Sequence, residues 1–305
     1  MTEVSDILSR MQEVMGALPG MDRRCDLQIH TVDSFTKEGV HHRKLLFSPE
    51  PGDRCPAWLL EPESGQNGAA LVCLHQTTPL GKDEPAGLGG TAHCRYAYEL
   101  AQKGYVTFAP DYPGFGEYHI DPYAMGYKSS SMKGIWNHLR SVDFLAAWPG
   151  VDPGRIGVIG HSLGGYNALF LGAFDPRVRL VVSSCGFTRF TKTDCEGKSS
   201  PGDLTDWGHP ANMPLILSRF GARAENMPFD FPDVLMAIAP RPLFVNAPTQ
   251  DFMNLEGVKE CFARVASSYA LHQAGDRLQS IHPSCKHDFP PEAREAAYEF
   301  IAKML

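Results

Sequence analysis

Apolar residues recur at Val4, Ile7, Leu8, Met11, Val14, Met15 and Leu18, the i, i+3, i+4, i+7 spacing of one helix face. An amphipathic helix is therefore predicted within residues 1–25. Its polar side carries Glu3, Asp6 and Glu13 against a single Arg10, the opposite of the basic face that a membrane-surface helix presents. The helix is expected to pack on the domain or on a second copy of the chain, which would make a homodimer. Residues 26–33, 41–47 and 56–61 alternate or run apolar between turn residues and predict three antiparallel strands.

After residue 68 the rhythm changes from strands to strands alternating with helices. Strands are predicted at 69–75, 105–109, 155–160, 178–184, 242–246 and 277–282, and helices at 91–103, 129–148, 164–174, 255–268 and 291–304. Such alternation implies right-handed crossovers and a mostly parallel, doubly wound α/β sheet with helices on both faces, preceded by the antiparallel strands. In such sheets the chemistry sits at the carboxyl ends of the strands. Residues 186–232, rich in Gly, Pro and Asp, are too long for a plain connection and are expected to form a lid or surface excursion. No Pro/Ser-rich linker divides the 305 residues, so 1–305 is expected to be one domain.

Composition narrows the partners. Hydrophobic residues make up 43% and charged residues 21%, enough for a sizeable core. A net charge of -7 argues against nucleic acid or an anionic membrane, both of which favour basic surfaces, and leaves a small molecule. The eight cysteines form no C-x-x-C pair, and Cys73 and Cys185 fall in strand-like runs. They are expected to be thiols of a reducing compartment. No N-terminal basic-then-apolar leader and no run of transmembrane length is seen, so a cytoplasmic location is expected.

Candidate chemistry centres on Gly160-His-Ser162-Leu-Gly164, a G-x-S-x-G pattern between a predicted strand and a predicted helix. Small neighbours let strand and helix approach while the serine is lifted above the sheet edge, and the Leu163 amide opens the helix toward a developing oxyanion. A serine hydroxyl needs a base, itself oriented by an acid. Of the downstream histidines His209, His272, His282 and His287, the last sits in a loop between the final short strand and the closing helix. Asp251 follows the strand at 242–246 and is the preferred acid over Glu256, Asp194, Asp203 and Asp206, while Asp288 should point away from the histidine. A second oxyanion amide is expected from Gln76 or Thr77, with His75 bracing their loop. Lys82, Asp83 and Glu84 are candidates for the mouth of the site, and Trp136, Phe187 and Trp207 for its walls.

Gly160-His-Ser-Leu-Gly-Gly165, His75-Gln-Thr-Thr, Ala109-Pro-Asp-Tyr-Pro-Gly-Phe-Gly116, Ala239-Pro-Arg-Pro-Leu243 and His287-Asp-Phe-Pro290 together resemble the α/β-hydrolase superfamily. The nearest likeness is to its acetyl xylan esterase-like and dienelactone hydrolase-like bacterial branch, over roughly residues 55–304. The resemblance implies an α/β-hydrolase fold, the Ser162, Asp251 and His287 triad, and acyl transfer from small or carbohydrate-linked esters, with no cofactor or metal required. Two departures stand out: His75-Gln76-Thr77 replaces the His-Gly of many relatives, and serine replaces the cysteine nucleophile of dienelactone hydrolases. A prolyl oligopeptidase-like peptidase and an inactive binding module are the alternative readings.

Overall fold

The computed structural model describes residues 3–193 and 200–305. Among them nine strands form one sheet in the order β1-β2-β3-β5-β4-β6-β7-β8-β9. Here β1 is His30–Lys37, β2 Val40–Phe47, β3 Cys55–Pro62, β4 Ala70–Leu74, β5 Val106–Pro110, β6 Ile156–His161, β7 Val178–Ser184, β8 Leu243–Asn246 and β9 Leu278–Ile281. Strands β1, β2 and β3 form an antiparallel meander, and β3 also lies antiparallel to β5. From β5 to β9 every neighbour pairs in parallel.

The period of two along each strand divides the core into two layers. Ala70, Val72 and Leu74 of β4 face helices α1 (Glu3–Met15), α3 (Ser130–Ala146), α4 (Leu163–Phe174), α6 (Phe231–Ile238) and α7 (Leu255–Leu271). Leu71 and Cys73 face α2 (Tyr96–Gln102) and α8 (Pro291–Met304). Every residue of α4 is buried. That explains why it reads as apolar all round rather than as a stripe.

Most predicted elements stand within a residue or two of expectation; the first strand and the 91–103 helix differ, α7 runs three residues past its predicted end, and two helices appear that the pattern does not predict. The first strand occupies 30–37 rather than 26–33. Its side chains are almost all exposed, so no apolar pattern fixes its register. The tight turn at Glu38-Gly39 does, with φ of 47° and 78° joining Lys37 to Val40. The helix predicted at 91–103 is regular only from Tyr96, after a single 3-10 turn. Within and beyond the excursion, α5 (Leu215–Ser218) and α6 were not predicted. The signal for α6 was present in Asp230-Phe-Pro-Asp233: an N-cap aspartate, a proline in the first turn and a second aspartate that closes a capping box.

The N-terminal helix packs on its own chain. Ile7, Met11, Val14 and Met15 are buried against the α6 side of the core, and Arg10 bridges to Asp233 and to the Pro228 carbonyl. Among the described residues no helix is long and apolar enough to cross a membrane. Met11→Ala should lower stability by about 2–5 kcal/mol in denaturant unfolding, because it opens a cavity at a fully enclosed site. Val4→Ala, at an exposed position on the same helix, should stay within about 0.5 kcal/mol.

Candidate active site

The site is assembled from backbone contacts before any side chain takes part. Ser162 lies between β6 and α4 with φ of 53° and ψ of -115°, a conformation that non-glycine residues rarely adopt. It is held there by its own main chain: the Ser162 amide donates to the Ser184 carbonyl at 2.8 Å, and its carbonyl accepts from the Gly165 and Tyr166 amides. The flanking glycines are needed for close approach. A Cβ on Gly160 would stand 2.2 Å from the Gly164 carbonyl oxygen, and one on Gly164 would stand 1.9 Å from the Leu74 oxygen.

The structure brings the three predicted side chains together. Ser162 Oγ and His287 Nε2 are 2.7 Å apart, and His287 Nδ1 lies 2.8 Å from Asp251 Oδ1. In the matching tautomer the imidazole donates to the carboxylate and accepts the serine proton. The Asp251 side chain is fully enclosed, that of His287 is 21% exposed, and the Phe252 ring stacks on the imidazole at 4.3 Å.

The other candidates do not converge. Glu256 pairs with Lys259, Asp203 caps Thr205, and Asp288 turns to His93 Nδ1 at 2.7 Å. His282 faces the Ala247 carbonyl, and His209 accepts from the Ala211 amide. His272 ends α7. Asp194 lies outside the described residues.

The loop after β4 is braced as expected. His75 Nδ1 donates to the Gln76 carbonyl at 2.6 Å while Nε2 accepts from the Tyr112 amide at 2.9 Å. In a trans peptide N–H and C=O point opposite ways, so fixing the Gln76 carbonyl also fixes the direction of the Thr77 amide. Thr77 borders the cleft beside the triad, whereas the Gln76 side chain is tied to Glu84 at 2.9 Å. Lys82, Asp83 and Glu84 do not form the mouth. Lys82 is fully buried on Asp111 and Glu117, Asp83 accepts from the Trp58 indole, and Glu84 is buried under Gln76 and Thr91. Lys82 locks this loop to the 111–117 loop, Asp83 ties it to β3, and Glu84 ties it to Gln76 and Thr91.

The cleft measures about 450 Å3. Its walls include Thr77, Tyr166, Thr188, Trp207, Phe252 and a single charged residue, Asp206, so the 186–232 excursion covers one side. Of the three aromatic wall candidates only Trp207 lies there. Trp136 donates to the Pro49 carbonyl inside the core, and Phe187 packs on Phe231.

A buried polar layer behind the triad was not foreseen. Asn246 Nδ2 donates to Ser184 Oγ at 2.8 Å and to the Asp288 carbonyl at 2.9 Å, and the Cys185 thiol donates to the same carbonyl at 3.3 Å. Two donors thus pin the main chain beside His287. His161 Nδ1 meets Ser184 Oγ at 2.8 Å, and burial, reinforced by the nearby His287, pushes its pKa down to about 3. These partners sit at strand ends, where an asparagine or serine is indistinguishable in sequence from a turn residue.

Gly164→Ala should therefore destabilise the protein by more than about 3 kcal/mol in thermal unfolding. Gly275→Ala, with nothing within 4 Å of the added carbon, is the matched control and should unfold near the native temperature. Burial also pushes His138 down to about 3. A histidine whose folded pKa lies below the usual ~6.5 takes up its proton more readily unfolded. Its contribution is complete above pH ~6.5 and is lost as pH falls toward 3. Denaturant midpoints should fall between pH 7 and 5, and less steeply in His138→Leu.

The chain is similar along almost its whole length to YtaP of Bacillus subtilis strain 168, whose name provisionally designates it a hydrolase. They are 24% identical over 307 residues, covering 96% of each chain. It is 25% identical over 211 residues to the 4-O-methyl-glucuronoyl methylesterase of Hypocrea jecorina, covering 63% of this chain and 44% of that protein. Among solved structures, a glucuronoyl esterase from Solibacter usitatus superposes with a TM-score of 0.74 at 17% identity, over 99% of this chain and 91% of that one. Acetyl xylan esterase 1 from Thermoanaerobacterium sp. JW/SL YS485 superposes with a TM-score of 0.63 at 17% identity, over 99% and 93%. The model of the alpha/beta hydrolase family matches residues 71–301, and the chain belongs to that family.

Proposed function

We propose that this protein is a serine hydrolase of carboxylic esters, acting on small or carbohydrate-linked esters through an acyl-enzyme. The observation that carries the reading is the unbroken chain Ser162 Oγ, His287 Nε2, His287 Nδ1 and Asp251 Oδ1, linked at 2.7 and 2.8 Å. His287 takes the Ser162 proton as Oγ attacks the ester carbonyl, and Asp251 stabilises the imidazolium that results. The oxyanion is held by the Leu163 amide and by an amide of the Gln76-Thr77 loop, with Thr77 the better placed. The imidazolium protonates the leaving alcohol. Water, deprotonated by the same imidazole, then releases the acid.

The cleft supports an ester of modest size, within the ordinary range for small-molecule sites. Aromatic faces at Tyr166 and Trp207 beside hydroxyls at Thr77 and Thr188 suit a neutral, polyhydroxylated group. Asp206 on the wall disfavours a free carboxylate. The names of the glucuronoyl and acetyl xylan esterases above point the same way. The seven described cysteines are free, which supports the reading of a reducing, cytoplasmic compartment.

Hydrolysis of p-nitrophenyl acetate should fall by at least about 10^4-fold in Ser162→Ala and by about 10^2–10^4-fold in Asp251→Asn, with the fold retained by circular dichroism. Ester turnover that survives Ser162→Ala would overturn the mechanism. Turnover of an aminoacyl anilide faster than the ester would favour a peptidase.

A further inference from the structure

Behind the His287 imidazole lies a thiol that takes no part in the bond-making steps of ester hydrolysis. Cys185 directly follows β7, is 2% exposed and holds a left-handed φ of 52°. Its Sγ, a carboxylate oxygen of Asp251 and a ring nitrogen of His287 all lie within 4.8 Å of one another. A second observation concerns the carboxylate itself. The Asp251 side chain is wholly enclosed, and while Oδ1 takes the imidazole N–H, Oδ2 has no hydrogen-bond partner among the described residues. An enclosed carboxylate oxygen without a donor is costly and rarely left so.

Thiolate, imidazole and carboxylate together make a zinc ligand set. Bonds of about 2.0–2.3 Å in a tetrahedron space the ligand atoms about 3.5 Å apart, so no separation among these three has to close by much more than about 1 Å, while Nδ1 and Asp251 Oδ1, 2.8 Å apart, open slightly. Charge favours the same occupant. Burial, and then the Asp251 carboxylate, hold the thiol protonated, so alone it is a poor nucleophile. When a divalent cation binds, the thiol releases its proton to solvent. The cation, thiolate and carboxylate then sum to zero, replacing a lone negative charge in an enclosed space.

We propose that Cys185, Asp251 and His287 form an inhibitory site for a thiophilic divalent cation of the zinc class. It rests on the triad reading above. The cation binds His287 through Nδ1, the nitrogen that faces Asp251, and the imidazole proton moves to Nε2. An Nε2–H cannot accept the Ser162 proton, so attack on the ester stops. One cation is bound and one thiol proton released, and nothing is oxidised.

The test is a zinc titration of the full chain during p-nitrophenyl acetate hydrolysis, paired with cobalt(II) absorbance on the same protein. Zinc should abolish hydrolysis and a chelator restore it, while Cys185→Ser should raise the half-inhibitory zinc concentration at least about tenfold relative to its own metal-free rate. Cobalt should produce a thiolate-to-metal charge-transfer band that Cys185→Ser removes. If that variant fails to fold, Cys185→Gly, suited to the left-handed backbone, takes its place. Equal zinc sensitivity in the variant, or a cobalt band that is absent or survives the substitution, overturns the proposal. A protein that hydrolyses no ester without metal refutes the esterase reading instead, and the cobalt band still decides the site.

Discussion

The close approach of three backbones around Ser162 is the constraint on which the rest depends. The end of β4, the start of α4 and the end of β7 meet where no Cβ fits at Gly160 or Gly164, and the Ser162 amide is spent on the Ser184 carbonyl. That contact forces Ser162 into a conformation costing of order 1–3 kcal/mol, which the buried helix behind it overcomes. The strain lifts the hydroxyl off the sheet. It also leaves the Leu163 amide at the head of α4, where partial positive charge gathers.

His287 and Asp251 reach this point from the next two strand ends, and each is held by more than its neighbour in the hydrogen-bonded chain. Asn246, the last residue of β8, ties β7 to the loop carrying His287, so the imidazole's position follows from the sheet. Asp251 arrives five residues later on a short loop. On the opposite side, His75 and the buried Lys82 and Asp111 pair fix the loop that carries Gln76 and Thr77. Stability and reactivity share these contacts, because the same buried hydrogen bonds and ion pairs that hold the strand ends together also orient the side chains around Ser162.

Much of this was legible in the sequence because it rests on local rules. Apolar runs of five to seven residues between turn signals marked the parallel strands. Chain order and strand ends sufficed to single out Asp251 and His287 from several alternatives. What could not be read depends on contacts between distant segments. Lys82, charged and next to two acids, looks like a solvated loop residue until Asp111 and Glu117 close over it. The register of β1 lay in a two-residue turn rather than in any apolar pattern. The Asn246 and Cys185 clamps on Asp288 join positions 42 and 103 residues apart, and nothing local marks either side chain.

On the proposed mechanism one serine, strained by its backbone and deprotonated by one imidazole, is the reactive nucleophile. A fluorophosphonate tests it directly, because the serine oxygen displaces fluoride from phosphorus and leaves a stable adduct that intact-protein and peptide mass spectrometry locate. A single adduct is expected on Ser162, formed at a rate that collapses in His287→Ala. An adduct on another residue, or labelling of Ser162 at an unchanged rate without the imidazole, would contradict it.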